Sequence, residues 1–384
     1  MRRTTKLAAL AGAGAAVAAL CLPAAAGADQ YSRPGGPPGV TSTGSVYVQT
    51  NDTTGNQIVT YQRTPLGGLR QVSRVDTGGL GVALGGAAVD DLASQGGLAY
   101  DPSDQVLVGV NGGSNTISEF HTFGPNVGFR RVVPSGGRIP VSVAVRGDLI
   151  YVLNAGGAGE VQGYYADGLQ PIPGSARSLG LTPGVTPQYL NTPGQIGFSP
   201  SGTQLIVTTK DNGSHIDVFS VSPWGALSAP TANPSATPVP FGFTFDRFGH
   251  LVVTEAGTSA LTTYALNPSG VVTELGSVTD GLAALCWVAN DHNQFFYGSN
   301  AGSATVTTYT VGANGRPTEV GSTATDAGSI DLASAPDGSA LYVETGGSDL
   351  VDTFAIAPSG TLTSTGSVAP ELPGHTGLEG IAVG

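Results

Sequence analysis

The chain predicts an all-β fold: a seven-bladed β-propeller with four antiparallel strands per blade. Three observations carry that expectation. One short pattern recurs seven times, an apolar strand that closes on a small polar or acidic residue and runs into a Gly/Asn-rich turn. The copies are SVYVQT ending at Thr50, VLVGVN at Asn111, LIYVLN at Asn154, QLIVTT at Thr209, HLVVTE at Glu255, FFYGSN at Asn300 and LYVET at Thr345. Their spacing settles near 45 residues, the length of one supersecondary unit that needs neighbours to bury its faces. Proline and glycine fall at fixed points between the strands, and the two ends of the chain supply complementary parts of one unit.

The unit from Gly194 shows the grammar. Gln195 to Phe198 is a short apolar strand, Ser199-Pro200-Ser201-Gly202 a tight turn, and Gln204 to Thr209 the second strand. A polar loop leads to a third strand, Ile216 to Val221, and Ser222-Pro223-Trp224-Gly225 turns the chain into a short fourth strand. Pro and Gly sit where fixed or positive φ is required. Equivalent turns return at Asp101-Pro102, Asp246-Arg247, Ala335-Pro336, Asn267-Pro268 and Ala357-Pro358. Four such strands, repeated seven times, make a propeller. The first unit begins at Ser45 with its second strand, while LEGIAVG (Leu378 to Gly384) reads as a first strand with nothing after it. The C-terminal strand is therefore expected to complete the first blade and close the ring, leaving no free sheet edge.

Composition bounds the rest. Arg2, Arg3 and Lys6, an apolar run from Leu7 to Leu22, and Ala26-Gly27-Ala28 read as a secretion signal over residues 1–28. Residues 29–43 read as a flexible linker and 44–384 as the propeller. The expected location is therefore secreted, extracellular or at the cell surface, with no transmembrane segment. Removing the signal takes the formal net charge from −12 to −15, because three basic residues leave and no acidic one does. Such acidity disfavours nucleic acid and anionic membranes as partners. Lys210 becomes the sole lysine and Cys286 the sole cysteine, so no intrachain disulfide can form and a monomer must be stabilised by packing.

A family likeness rests on ASQGGLAYDPSD (Ala93 to Asp104), VNGGSNTISEF, PVSVAVRGDLIYVLNAGG, GQIGFSPSGTQLIVTTK, PFGFTFDRFGHLVVTEAG and SNAGSATVTTY. This series resembles the exported bacterial branch of the lactonase-family seven-bladed propellers, which also contains 6-phosphogluconolactonases and 3-carboxymuconate cyclases. The resemblance implies a small-molecule lactone or related ligand at the mouth of the central channel, hydrolysed or formed there. Relatives that act on phosphorylated or polycarboxylate substrates resemble sites rich in His and Arg, and no such set maps onto this chain. The alternative is a non-catalytic propeller that binds a ligand or protein at the cell surface.

In a propeller the turn after the second strand and the link between blades share one face, where sites sit on loops held by a rigid scaffold. That face is expected to carry Asn111, Asn154, Lys210, Glu255, Asn300 and Glu344, with Gln95, Gln195, Asp331 and Glu379 at the starts of innermost strands. Lys210 and Glu255 stand one repeat position apart on adjacent blades. As a catalytic pair, Glu255 is the general base and Lys210 stabilises the oxyanion; otherwise they form an exposed ion pair. Gln95, Asn154, Arg177, Gln195, Asn300, Asp331 and Glu344 are the candidate substrate-binding residues. Two long links, 76–94 with Asp90-Asp91 and 175–193 with Arg177, Gln188 and Tyr189, either form a lid or are tolerated insertions. No HExxH and no histidine pair at metal-ligand spacing occurs, and no cofactor is expected. His375, in the final link, is the histidine expected to approach the channel.

Overall fold

The structure, a computed structural model, describes residues 44–65, 67–292, 294–370 and 377–384. The signal, the linker and His375 lie outside those residues. Seven antiparallel sheets follow one another along the chain. Blade 1 holds Ser45–Gln49, Gln57–Arg63 and Leu69–Asp76. Its innermost strand is Ile381–Val383, which pairs with Ser45–Gln49 through Val46↔Val383, Tyr47↔Ala382 and Val48↔Ile381. The ring is closed as the two chain ends predict, and Ser45 and Gly384 exchange both backbone bonds, at 2.7 and 2.9 Å.

Blades 2, 5, 6 and 7 are regular four-stranded meanders whose innermost strands are Leu98–Asp101, Pro240–Phe245, Leu285–Asn290 and Ser329–Ser334. Blades 3 and 4 depart at the rim. The fourth strand of blade 3 is split into Gln170–Pro171 and Arg177–Ser178. In blade 4 the chain turns at Trp224, makes a single bridge between Val221 and Leu227, and forms its fourth strand only at Thr231–Pro234. Proline at 223, 230 and 234 denies the ladder its donors there, which pushes regular pairing outward.

Second strands such as Val106–Asn111 and Ala340–Thr345 are buried along their whole length, because both sheet faces meet a neighbouring blade. Large aromatics fill those contacts, and their polar ends are satisfied across the seam. Tyr47 donates to the Gly124 carbonyl (2.8 Å), Tyr151 to Gly225 (2.5 Å) and Tyr297 to Gly360 (3.3 Å). Each acceptor lies in the outer turn of the next blade. At the closing seam the Arg63 guanidinium donates to the Tyr342 hydroxyl at 2.9 Å. A β-bulge between third and fourth strands recurs in five blades immediately before an aromatic: Tyr61, Phe120, Tyr264, Tyr309 and Phe354. The bulge increases local twist, as a strongly wound blade requires.

Candidate functional site

The first long link does not overhang an open channel; its end enters it. The segment Ala93–Gly96 bonds to four blades besides its own. Ser94 donates to the Val141 carbonyl (2.7 Å), and the Ser142 hydroxyl donates to the Gln95 carbonyl (2.7 Å). The Gln95 amide donates to Gly194 (3.0 Å). The Gln95 carboxamide reaches blade 6, donating to the Val288 carbonyl at 2.9 Å and accepting from its N–H at 3.1 Å. The Trp287 indole donates to the Ser94 carbonyl at 2.9 Å, and the Gly96 amide donates to Asp331 at 3.1 Å. Of the expected substrate-binding residues, Gln95 is thus part of the segment that fills the axis and Asp331 is bonded to it.

Around this plug lie four buried carboxyl groups, Asp90, Asp331, Glu344 and Glu379. Asp331 accepts from the amides of Gly96 and Leu332, Glu344 from Gly380 and Glu379 from Leu92. One Glu344 oxygen, Oε1, is buried without a hydrogen-bond partner. Burial pushes all four up, Asp331 to about 7, Asp90 to about 6, Glu344 and Glu379 well above the usual carboxyl range, and repulsion within the group adds to the rise of Asp331, Glu344 and Glu379. The Asp90 and Glu379 carboxyls are hydrogen-bonded to each other, an arrangement that lowers Asp90 and raises Glu379. The pair therefore shares a proton, with Asp90 the more readily ionised partner.

Lys210 is fully buried beside them. Its ammonium donates to the carbonyls of Ala93 and Tyr189, each at 2.5 Å, and to the Thr192 hydroxyl at 3.1 Å. It also stands 5.1 Å from the centre of the Phe241 ring. Burial pulls it down to about 8, against the opposing pull of Asp90, Cys286 and Glu379. All three donors are used, and they lock the two long links together. The links also meet directly, through the Gln188 carboxamide oxygen and the Gly85 amide at 3.0 Å.

Glu255 is equally buried, at the end of the second strand of blade 5. Its carboxyl accepts from Ser235 (2.5 Å), Thr237 (2.7 Å), Thr262 (2.6 Å) and the Tyr264 hydroxyl. Neither residue is exposed, so the exposed ion pair is corrected, and their hydrogen-bond partners are entirely separate.

The remaining expected residues divide by role. Gln195 accepts from the Phe243 amide at 2.6 Å and joins blade 4 to blade 5. Asn154 donates to the Ser135 carbonyl (3.1 Å), and Asn300 to the Thr307 hydroxyl (2.9 Å). Asn154 and Asn300 are buried and Gln195 is half-buried, and all three act as structural joints. Arg177 is not at the channel mouth. It lies in the outermost strand of blade 3 and donates to the Ser228 and Leu227 carbonyls of blade 4. The sequence reading had placed it on a link, but the split rim strand carries it outward.

A cleft of about 470 Å³ opens between the plug, the second link and blades 5 and 6. Ala87, Ala88, Val89, Asp90 and Ala93 form one wall, and Tyr189 and Leu190 belong to the second link. Val239, Phe241, Ala256, Ala284, Cys286, Trp287 and Ala301 complete it. Phe241 and Trp287 meet edge to face, centroids 4.9 Å apart. Burial, and then the nearby Asp90 charge, push the Cys286 thiol up, so it is a neutral wall group. Val239 (φ 64°) and Ala284 (φ 62°) enter their innermost strands in the left-handed region, where a branched side chain is strained. Blade 7 uses Gly328 (φ 71°) at that position. Asp90 is the ionisable carboxyl among the lining residues. The sequence marked it only as part of Asp90-Asp91 in a Gly/Ala-rich link, and Cys286-Trp287 only as an inner-strand pair. Among the described residues, no group of three or more His, Cys, Asp or Glu is arranged to hold a metal ion. No described helix is long and apolar enough to cross a membrane.

No protein-family model matches the chain, and no curated protein matches it significantly. Solved structures do. A candidate 6-phosphogluconolactonase from Bacteroides fragilis is 17% identical, with a TM-score of 0.71 over 91% of this chain and 100% of its own. Another from Bacteroides uniformis is 18% identical, with a TM-score of 0.69 over 90% and 100%. The periplasmic gluconolactonase of Pseudomonas aeruginosa is 18% identical, with a TM-score of 0.67 over 88% and 98%. These neighbours are 6-phosphogluconolactonase-like seven-bladed propellers, and at such identities the likeness is one of fold.

Proposed function

We propose that this chain is an exported lactone hydrolase whose reaction takes place in the cleft beside the plug, with Asp90 as general base. The observation that carries the reading is Asp90 itself. It lines the cleft, its carboxyl is pushed up to about 6 by burial, and it is therefore ionised at neutral pH yet more basic than a free carboxylate. In the step, Asp90 takes a proton from water as the water oxygen bonds to the lactone carbonyl carbon. The ring C–O bond then breaks, and the leaving oxygen takes the proton back from the Asp90–Glu379 pair, giving a hydroxy acid. Lys210 holds the links and the field around Asp90, and Glu255 braces blade 5. The fold likeness to a gluconolactonase supports the activity class, and the basic residues Arg2, Arg3 and Lys6 followed by an apolar run support the export.

A second reading, binding without turnover, draws support from the saturation of Lys210 and the apolar walls, which offer no evident oxyanion donor. Acid release from a panel of lactones, followed by pH-stat, separates the two. Asp90→Asn keeps the size and an acceptor for the Ala93 amide, which now lies 2.6 Å from Asp90. It is expected to lower turnover at least about 100-fold, the usual contribution of a general base. Turnover unchanged in that variant removes Asp90, and silence across the panel leaves the binding reading.

A further inference from the structure

We propose that the cleft selects an uncharged lactone bearing a hydrocarbon substituent, and rejects phosphorylated and polyhydroxylated sugar lactones. The inference rests on the hydrolase reading for its reaction but on separate observations for its substrate class.

The walls decide it. Apart from Asp90, Tyr189 and Cys286, every lining side chain is apolar or absent: alanines, valines, a leucine, Phe241, Trp287 and two glycines. A sugar lactone buried there would leave several hydroxyls without partners, and each unpaired group is penalised. A phosphate fares worse. Among the described residues no arginine or histidine lines the cleft, and Lys210 beside it already gives its three hydrogens to Ala93, Tyr189 and Thr192. The charge that the cleft does present is Asp90, so an anion meets repulsion without a compensating donor. An alkyl chain meets alanine methyls and the Phe241–Trp287 edge-to-face pair, and apolar contact is what such walls reward.

A cavity of about 470 Å³ lies within the size of small-molecule sites and is too small for a polymer.

The chain has two tryptophans, Trp224 78% exposed and Trp287 2% exposed. Trp224→Phe, which removes an exposed tryptophan that does not line the cleft, thus leaves Trp287 as a reporter in the cleft wall. In that background, γ-dodecalactone and its unreactive cyclic-ether counterpart are titrated against fluorescence. Acid release is measured in parallel for γ-dodecalactone, γ-butyrolactone and glucono-δ-lactone. A saturable change with both alkyl compounds, and kcat/KM at least tenfold higher for the alkyl lactone than for either other lactone, is expected. Ala256→Leu and Ala301→Leu, tested separately so that lost cleft volume is distinguished from perturbed packing at one site, should each weaken alkyl binding at least tenfold. Saturable binding of the ether without turnover of any lactone keeps the substrate class and removes the hydrolase. Turnover of glucono-δ-lactone at equal or greater kcat/KM keeps the hydrolase and overturns the class. Neither binding nor turnover overturns both.

Discussion

Asp90 and Glu255 are both buried carboxyls, and their surroundings assign them different work. Glu255 is enclosed by four hydroxyl donors, a cage that fixes the end of a strand and leaves no lone pair well placed for water. Asp90 has one backbone donor, one carboxyl neighbour and a cleft. Glu255→Gln is accordingly expected to cost at least about 1–3 kcal/mol of stability, since the two hydroxyls that share one carboxyl oxygen lose their acceptor, while the folded fraction keeps its lactone turnover. Asp90→Asn should do the reverse. Thermal midpoints and pH-stat rates on both variants check the pair together. The repeat register located Glu255 but not its cage, because Ser235 and Thr237 come from the link before the blade, where the pattern has no fixed phase. Asp90 was harder still. An acidic pair in a glycine-rich link has no periodicity from which burial can be read.

At the level of elements, the strands were legible and the links were not. A strand shows itself by alternation and by the Pro/Gly turns at its ends, and blades 2, 5, 6 and 7 follow that grammar closely. The rim of blade 3 broke it, since Gln170–Pro171 and Arg177–Ser178 are two short pieces flanking Pro173 and Gly174. The links depend on long-range bonds that no local pattern announces. Residues 85–93 and 187–192 are held by Lys210, whose ammonium bridges Ala93, Tyr189 and Thr192. Lys210→Met removes that bridge and strands two buried carbonyls, at roughly 1–3 kcal/mol each, offset in part by relief of the buried charge. Hydrogen exchange should quicken within these two links and leave the second strands of the blades protected. Uniform quickening through the blades would show instead that Lys210 supports the whole ring.

For the whole molecule, the buried acids set a pH dependence. Asp331 is raised to about 7, and Asp90, Asp217 and Asp352 to about 6, from an ordinary 3.8. Between about pH 4 and pH 7 the folded chain therefore holds protons that the unfolded chain has already released. Stability is fully present below that window and is lost as pH rises through it. Lys210, lowered to about 8 from 10.5, acts in the opposite sense and above the window. Scanning calorimetry is expected to give a midpoint that falls from pH 4 to pH 7.5, with a shallower fall for Asp331→Asn. A midpoint that rises across that range would mean that these carboxyls are not buried in the folded chain.

Ring closure has a consequence for where such a protein can be cut. Ser45 and Gly384 lie side by side across one ladder, so a short hairpin linker can join them and new ends can be opened elsewhere. The seven seams are not equivalent for this purpose. A permutant opened at Asp280–Ala283, before blade 6, keeps the strand-to-link tether that feeds Ala93–Gly96 into the axis. One opened at Gly85–Ala88 turns the same segment into a loose tail that must find the axis by itself. Purified soluble yields of the two rearranged chains should differ in favour of the first, and the centre of the wheel, rather than its rim, decides which order of blades can be assembled.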